Sequence, residues 1–323
     1  MQRLLGSMSI GLVLILGPSL WAADWHGGVG VIGDSYSDEY EFYPTDRSEA
    51  RNWVEILAET RGIDFGPFSR EGRAAPRLQG YAYNWARSDA TTTTMIAQGQ
   101  HTGVAEQVAH GQVGLVWIFI GGNDFIAAIR SQSPVEAASE TASRAIANLD
   151  KAITTVLAAS PDVKIVVLTV PDITELPDVA EAIQSGAIRR EGVNAVTRAL
   201  QEYNDAIHDW PNRDHRVSVV DLHLLLKLAA SVSQEKAYVA GRWVDRQHCG
   251  NDLDHLFLND HRHVGTLAQG LLAQIFVTTV NSRYGAHVSP LSNSEIVAYA
   301  NRVGGHHEAL VQHETSAPRA QGQ

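Results

Sequence analysis

Four short apolar runs alternate along the chain with longer segments of helical period. The runs are Gly28–Ile32, Leu115–Ile120, Val163–Val170 and Val217–Val220. Each is a continuous stretch rich in β-branched residues, which is typical of strands in a parallel sheet covered on both faces. Helical patterns occupy the chain between and beside them, at 47–60, 92–110, 135–159 and 187–208.

The clearest helical pattern lies near the carboxyl end, between Val264 and Phe276. Apolar residues recur there at i, i+3, i+4 and i+7, which predicts a helix with one buried face. The alternation of strands and helices implies right-handed crossovers between parallel strands. The sequence therefore predicts an α/β fold with three layers, α/β/α, around a flavodoxin-like, doubly wound parallel sheet.

The two ends of the chain depart from this pattern. Residues 1–23 hold one charge, Arg3, an apolar stretch from Leu4 to Leu20 and a small-residue cleavage site at Trp21-Ala22-Ala23, as in a cleaved signal peptide. A retained anchor is the alternative, although the stretch is short and rich in Gly and Ser for a span of about 20 residues. Residues 24–302 form one predicted domain, and residues 303–323 lose periodicity and are expected to be a flexible tail. The predicted location is extracytoplasmic, either periplasmic or secreted.

Composition narrows the range of functions. The 36 acidic residues outnumber the 25 Lys and Arg, and the net charge of −11 argues against a protein that coats nucleic acid. A content of 44% hydrophobic and 19% charged residues excludes a largely disordered chain or a coiled coil. The single cysteine, Cys249, excludes an intrachain disulfide and a thiolate-rich zinc site.

In an open α/β sheet, ligands bind at the carboxyl ends of the strands, so the residues that follow each strand are the candidates for chemistry. The first strand is followed by Gly33-Asp34-Ser35. Ser35 is a candidate nucleophile, but a serine hydroxyl needs an adjacent base. The alternative is an Asx-type turn in which Asp34 and Ser35 only cap the next segment.

The second strand is followed by Gly121-Gly122-Asn123-Asp124. Its glycines would let the backbone approach a ligand, and the Asn123 amide could donate a hydrogen bond to a developing oxyanion. An ordinary Gly-Asn turn, with Asp124 as a helix cap, is the alternative.

Asp260 and His263 stand just before the amphipathic helix. The carboxylate could orient the imidazole and stabilise the imidazolium that forms when the ring accepts a proton. One alternative is that Asp260 only caps the helix. Another is a zinc or manganese site built from the His and Asp side chains of this stretch, namely Asp252, Asp254, His255, Asp260, His261 and His263.

Taken together, the Gly-Asp-Ser, Gly-x-Asn-Asp and Asp-x-x-His blocks resemble those of the GDSL or SGNH hydrolase family of lipases and acylhydrolases. Their order and wide separation are similar to the family's pattern from Ile32 to about Ala273. The resemblance implies the SGNH hydrolase fold and a Ser-Asp-His triad of Ser35, Asp260 and His263. It also implies an oxyanion hole formed by the Ser35 amide, the amide of residue 89 and the Asn123 side chain, with Gly33, Asp34 and Gly121 in support.

One block departs from the family pattern. The run Asn84-Trp85-Ala86-Arg87-Ser88-Asp89-Ala90-Thr91 has Asp89 where the family has glycine. Aspartate still has an amide and tolerates left-handed backbone angles, but its carboxylate would oppose an oxyanion unless it turned away or paired, for example with Arg87.

The resulting hypothesis is an exported serine esterase that cleaves a carboxylic ester through an acyl-enzyme and needs no cofactor or metal. The expected partner is a small or carbohydrate-linked ester, with a polar or short-chain ester favoured. No nucleic acid and no membrane span in the mature chain are expected, and the oligomeric state stays open. The alternatives are a ligand- or carbohydrate-binding protein of the same fold, weakened by Asp89, and a metal-dependent hydrolase using the 252–263 cluster.

Overall fold

The computed structural model describes residues 25–71, 79–233 and 235–316, with side chains through residue 304. The predicted signal peptide at residues 1–23 and the end of the predicted tail, 317–323, lie outside these residues.

The described chain forms strands and helices in alternation, with three short 3₁₀ helices. The strands are β1 (Gly28–Gly33), β2 (Phe68–Ser69), β3 (Gly80–Tyr81), β4 (Val113–Phe119), β5 (Lys164–Leu168), β6 (Val217–Val220), β7 (Lys236–Val239), β8 (Arg242–Cys249) and β9 (His255–Phe257). The helices are α1 (Trp53–Arg61), α2 (Thr92–Ala97), α3 (Gln100–Ala109), α4 (Gly122–Ile129), α5 (Pro134–Ala159), α6 (Pro177–Gln184), α7 (Arg190–Arg213), α8 (Leu222–Ala230), α9 (Thr266–Tyr284) and α10 (Asn293–Ser316).

The central sheet is parallel, with strand order β1-β4-β5-β6. A short extended segment pairs with the free edge of β1. Val31 N–H donates to the Tyr83 carbonyl at 2.9 Å, and Trp85 N–H donates to the Val31 carbonyl at 2.8 Å. This segment occupies the place of a second strand, so the order becomes 2-1-3-4-5, which is the flavodoxin-like arrangement.

Both faces of the sheet are covered, as the uninterrupted apolar strands predict. On one face, residues such as Val116 and Ile165 pack against α3, α4, α5 and α7. On the other face, residues such as Leu115 and Trp117 pack against α1 and α9. The predicted three-layer α/β/α class with a parallel sheet is confirmed.

All four predicted strands are present within a few residues of their predicted bounds. The helix predicted at 92–110 is divided into α2 and α3 because Gly99, at φ 71°, has a left-handed backbone between them. Helix α9 extends beyond the predicted Phe276, since Val277 and Val280 continue its buried face, and it ends at a left-handed Gly285. Helices α4, α6, α8 and α10 and the two small sheets are not predicted by the pattern.

Helix α10 runs on to Ser316, so helical structure continues past residue 302, where the tail is predicted to begin. The Gly304-Gly305 pair disfavours a helix, but the Glu, Ala, Leu and Gln residues that follow favour one. The domain boundary at 302 and the flexibility of the tail stay predictions. None of the helices in the described ranges is long and apolar enough to cross a membrane.

Candidate active site

Ser35 lies in the tight turn that follows β1 and is 5% exposed. The carbonyl of Asp34 accepts hydrogen bonds from the N–H groups of Ser37 and Asp38, both at 3.0 Å, and these close the turn. Ser35 is thereby held at the carboxyl end of β1, where an α/β sheet presents its chemistry.

Gly33 allows the chain to turn at this point. A Cβ on Gly33 would lie 2.9 Å from the carbonyl oxygen of Phe119, which is closer than real Cβ atoms come. The buried amide of Gln100 accepts from Gly33 N–H at 3.0 Å and donates to its carbonyl at 3.2 Å. This pairing fixes the end of β1, and the sequence pattern contains no indication of Gln100.

Ser35, His263 and Asp260 form a continuous chain of hydrogen bonds. The Ser35 hydroxyl lies 2.6 Å from His263 Nε2, and His263 Nδ1 lies 2.6 Å from Asp260 Oδ2. The other carboxylate oxygen, Oδ1, accepts from the backbone N–H groups of Arg262 at 3.1 Å and His263 at 2.9 Å. Asp260 therefore fixes both the imidazole and the loop that carries it.

Asp260 does not cap α9. The N-cap residue of that helix is Gly265, and no side chain caps it. The structure therefore contradicts the alternative in which Asp260 serves only as a helix cap.

The loop that carries His263 is braced against α6, which the sequence pattern does not predict. Asp178 N–H donates to the His261 carbonyl at 3.1 Å, and the Asp178 carboxylate pairs with the Arg262 guanidinium. His261 has a left-handed backbone at φ 61°, which turns the loop so that His263 faces Ser35.

Two tyrosines from the opposite side contact the same loop. Tyr36 donates its hydroxyl proton to the Arg262 carbonyl at 2.8 Å. The Tyr40 ring meets the His263 ring edge to face, with centroids 5.9 Å apart. Packing and hydrogen bonding together restrict the imidazole to one orientation.

The surroundings of His263 and Asp260 shift the pKa of each group and so decide which of the two is charged. Burial lowers the pKa of His263 below its usual value near 6.5, and this outweighs the hydrogen bond and charge of Asp260, which raise it. Burial of Asp260 favours its neutral acid. The hydrogen bond with the His263 ring, the charge of that ring and the hydrogen bonds from two backbone N–H groups outweigh burial and hold the pKa of Asp260 at about 2. At neutral pH the pair is a carboxylate beside a neutral imidazole that can accept a proton.

Asn123 lies in the first turn of α4 and lines the same cavity as Ser35. Its side-chain amide donates to the Ala90 carbonyl at 3.0 Å, which orients the group and ties α4 to the loop of Asp89. Gly121, the residue just before α4, has φ 121°, and a Cβ there would lie 2.8 Å from the Tyr203 ring. The close contact between the backbone of residue 121 and Tyr203 therefore requires glycine.

Asp89 takes the backbone conformation that a glycine would take, with φ 63°, and its side chain is exposed. Within the described ranges no ion pair joins it to Arg87, so the pairing considered from the sequence is not formed. The loop is held instead by the Asp38 carboxylate, which accepts from Ser88 N–H at 2.7 Å. Asp89 departs from the family pattern in its side chain, while its backbone conformation is the one that suits glycine.

Asp124 has a structural partner that the sequence pattern does not reveal. Its carboxylate accepts from the backbone N–H of Thr92 at 2.8 Å and from the Thr92 hydroxyl at 2.7 Å. It therefore joins the start of α4 to the first turn of α2, next to the loop of Asp89. Asp124 is a positioning residue for two of the predicted oxyanion donors.

Asp34 is buried beside the nucleophile, and its carboxylate accepts a hydrogen bond from Tyr36 N–H at 3.1 Å. Burial raises its pKa to about 7, and the nearby charges of Asp124, Asp89 and Asp38 add to the rise. The raised pKa of Asp34 therefore reflects chiefly the burial of its carboxyl group, with the neighbouring acidic residues as a smaller cause.

The His and Asp residues of 252–263 do not converge. His255 contacts Asp252 at 2.8 Å, and His261 contacts Glu181 at 3.0 Å. Within the described ranges, no group of three or more His, Cys, Asp or Glu side chains is arranged to hold a metal ion.

A cavity of about 720 Å³ opens over Ser35 and Asn123. Apolar side chains predominate in its walls, among them Phe119, Leu176, Leu200, Leu225, Leu271 and Ile275. Its volume lies within the ~300–1,000 Å³ that is usual for small-molecule sites.

The chain matches the model of the GDSL-like Lipase/Acylhydrolase family over residues 31–241, which is more than half of its length, and it belongs to that family. Ser35, Asp89 and Asn123 lie inside the matched range, whereas Asp260 and His263 lie beyond it. The family supports an ester-acting hydrolase.

Solved structures of lipases are similar to this chain at low identity. The lipase Lip_vut3 from a goat rumen metagenome is 12% identical over 80% of this chain and 100% of that one, with a TM-score of 0.46. An extracellular lipase from Streptomyces rimosus is 18% identical over 62% and 82% of the two chains, with a TM-score of 0.40. Phospholipase A1 from Streptomyces albidoflavus NA297 is 16% identical over 75% and 97%, with a TM-score of 0.42. No curated protein sequence matches the chain.

We predict that His263 titrates below its usual pKa and that Asp260→Asn lowers its pKa further, because the variant removes the carboxylate that favours imidazolium. NMR titration of the imidazole protons, assigned with a His263→Gln variant, measures both values. A His263 pKa at or above 6.5, or a rise in the Asp260→Asn variant, would contradict the charge states described above.

Proposed function

We propose that the protein is a serine esterase in which Ser35, His263 and Asp260 form the catalytic triad. The observation that carries the proposal is the pair of 2.6 Å contacts that link the Ser35 hydroxyl through the buried imidazole to the partly buried carboxylate of Asp260. This is the geometry in which a weak nucleophile is activated by an oriented base.

The reaction begins when neutral His263 takes the proton of Ser35 and the hydroxyl oxygen attacks the ester carbonyl. Asp260, ionised at neutral pH, stabilises the imidazolium that forms. The imidazolium then donates its proton to the departing alcohol, leaving an acyl group on Ser35. A water molecule deprotonated by His263 hydrolyses the acyl-enzyme and restores the free hydroxyl.

The negative charge on the carbonyl oxygen is stabilised by the backbone amides of Ser35 and Asp89 and by the side-chain amide of Asn123. The left-handed backbone of Asp89 and the Asn123–Ala90 hydrogen bond support this role. Because the Asp89 side chain is exposed, water weakens the effect of its carboxylate on the oxyanion, although its charge still reaches Asp34 beside Ser35. The Asp89 loop then keeps its amide donor in spite of the substitution.

The mature enzyme acts outside the cytoplasm after removal of residues 1–23, and it needs no cofactor. Its substrate is a small ester or an ester linked to a larger molecule such as a carbohydrate. The single basic residue followed by an apolar stretch within residues 1–23 supports export, and the cavity above Ser35 supports a small-molecule acyl or alcohol group.

Replacing Ser35 by Ala removes the nucleophile and should lower kcat for p-nitrophenyl acetate by about 10⁴-fold or more. Ser282→Ala is a matched control, because Ser282 is exposed near the end of α9 and its hydroxyl bonds only to its own helix. Wild-type turnover in the Ser35→Ala protein would refute the assignment, and so would an equal loss in both variants.

Asp89→Gly tests whether the substitution has weakened the enzyme. Since the amide and its backbone conformation are retained, we expect kcat to change by less than about tenfold, whereas Asn123→Ala should lose about 10²–10³-fold. Steady-state kinetics with p-nitrophenyl acetate measure both. A gain of about a hundredfold or more in Asp89→Gly would instead favour the alternative of a binding protein disabled by Asp89.

A further inference from the structure

Arg47 is an arginine beside the proposed active site that has no carboxylate partner. Its Nη1 donates to the Ser88 hydroxyl at 2.9 Å, and its guanidinium carbon lies 3.9 Å from the centroid of the Tyr43 ring. Among the described residues, no acid forms an ion pair with Arg47, and no second group accepts a hydrogen bond from its guanidinium. Because Arg47 is partly exposed, its remaining N–H groups are open to a ligand.

The contacts of Arg47 place it between the Asp89 loop and the imidazole. Ser88, to which it donates, directly precedes Asp89, whose amide is a proposed oxyanion donor. The Tyr40 ring lies 5.7 Å from the guanidinium carbon of Arg47 and 5.9 Å from the His263 ring, measured between centroids in the second case. The guanidinium is therefore one side chain away from the base.

A second arginine near the imidazole differs from Arg47 in its partner. Arg262 pairs with the Asp178 carboxylate, and this pairing braces the loop that carries His263. Burial is the main cause of the lowered pKa of His263, and the charges of Arg47 and Arg262 lower it as well. Both charges therefore act at the imidazole, but only the charge of Arg47 is not matched by a paired acid.

The course of ester cleavage decides which half of the substrate lies near Arg47. His263 gives its proton to the oxygen of the departing alcohol, so the alcohol half must lie on the imidazole side of the reacting carbon. The cavity with Phe119 and Leu271 in its walls offers the acyl half an apolar site. The alcohol half then extends toward Arg47.

The charges around Arg47 favour a ligand with a single negative charge. A guanidinium binds a carboxylate through two parallel charge-assisted hydrogen bonds. The Asp38 carboxylate lies close by, where it accepts from the Tyr43 hydroxyl and from Ser88 N–H. Asp38 and the exposed Asp89 would repel a doubly charged phosphate more strongly than a carboxylate.

We propose that Arg47 binds a carboxylate on the alcohol half of the substrate, so that the protein prefers acyl esters of hydroxycarboxylic acids to those of neutral alcohols. The preference in hydrolysis rests on the proposed esterase. The binding of a carboxylate at Arg47 does not, because it is measured without hydrolysis.

The test uses two acetate esters of nearly the same shape. 3-Acetoxybenzoate carries a carboxylate at neutral pH, and 3-acetoxybenzamide carries a neutral amide in its place. Arg47→Gln removes the charge, and Arg47→Lys keeps it. Arg302→Gln is the matched control, because Arg302 lies over the Tyr299 ring at 4.8 Å but stands on α10, outside the lining of the cavity.

We expect kcat/KM of the wild type to be about tenfold or more higher for 3-acetoxybenzoate than for 3-acetoxybenzamide, since a charge-assisted hydrogen bond contributes about that much. This ratio should fall to about one in Arg47→Gln, be partly retained in Arg47→Lys and stay unchanged in Arg302→Gln. If Arg47 only supported the Ser88 loop, its loss would lower both rates together and leave the ratio as it is.

Binding of the two product alcohols, 3-hydroxybenzoate and 3-hydroxybenzamide, is measured by ligand-observed NMR titration of the same proteins. We expect the wild type to bind 3-hydroxybenzoate about tenfold or more tightly than the amide, and Arg47→Gln to lose this difference. Arg302→Gln should bind both compounds as the wild type does.

Equal kcat/KM values for the two esters in the wild type would overturn the proposal and leave the esterase in place. A preference that survives in Arg47→Gln, or one that is lost equally in Arg302→Gln, would also overturn it. If 3-hydroxybenzoate binds through Arg47 while neither ester is hydrolysed, the esterase proposal is refuted and the carboxylate site at Arg47 stands.

Discussion

The hydrogen bond between Ser35 and His263 joins residues 228 positions apart in the chain, and most features of the site serve to make that contact. One partner stands at the end of β1 and the other in the loop before α9. Each must therefore be fixed to the body of the protein independently. Gln100 fixes the end of β1, while Asp260 and α6 fix the loop.

The position of α9 is set by both packing and polar contacts. Its Phe276 packs on Trp117 of the sheet, with ring centroids 5.0 Å apart, and on Trp53 of α1 at 5.7 Å. The buried Gln269 accepts from Trp53 N–H at 3.2 Å and donates to the Tyr40 hydroxyl at 2.8 Å. Since Tyr40 also contacts the His263 ring, the core of one sheet face is continuous with the support of the imidazole.

Much of this arrangement follows from the sequence, for identifiable reasons. The strands are predictable because a buried parallel strand is apolar on both faces, and Ser35 and Asn123 are candidates because they directly follow such strands. Asp260 and His263 are three residues apart, so their pairing can be predicted without knowing the fold. The supports are not predictable, because Gln100, Asp178 and Thr92 act through partners distant in the chain and carry no periodic pattern. The exposure of α8 is missed for a different reason: the pattern predicts no element there, and only the fold shows that Leu224, Leu226 and Leu228 are exposed.

The proposed mechanism depends on one claim, that Ser35 is the residue that becomes acylated. The most direct measurement is peptide mass spectrometry after the protein has reacted with diisopropyl fluorophosphate, which modifies activated serine hydroxyls. We predict a single adduct on the peptide that contains Ser35, and none after His263→Gln, because the hydroxyl then lacks its base. An adduct on another serine, or an adduct at Ser35 that persists without His263, would contradict it.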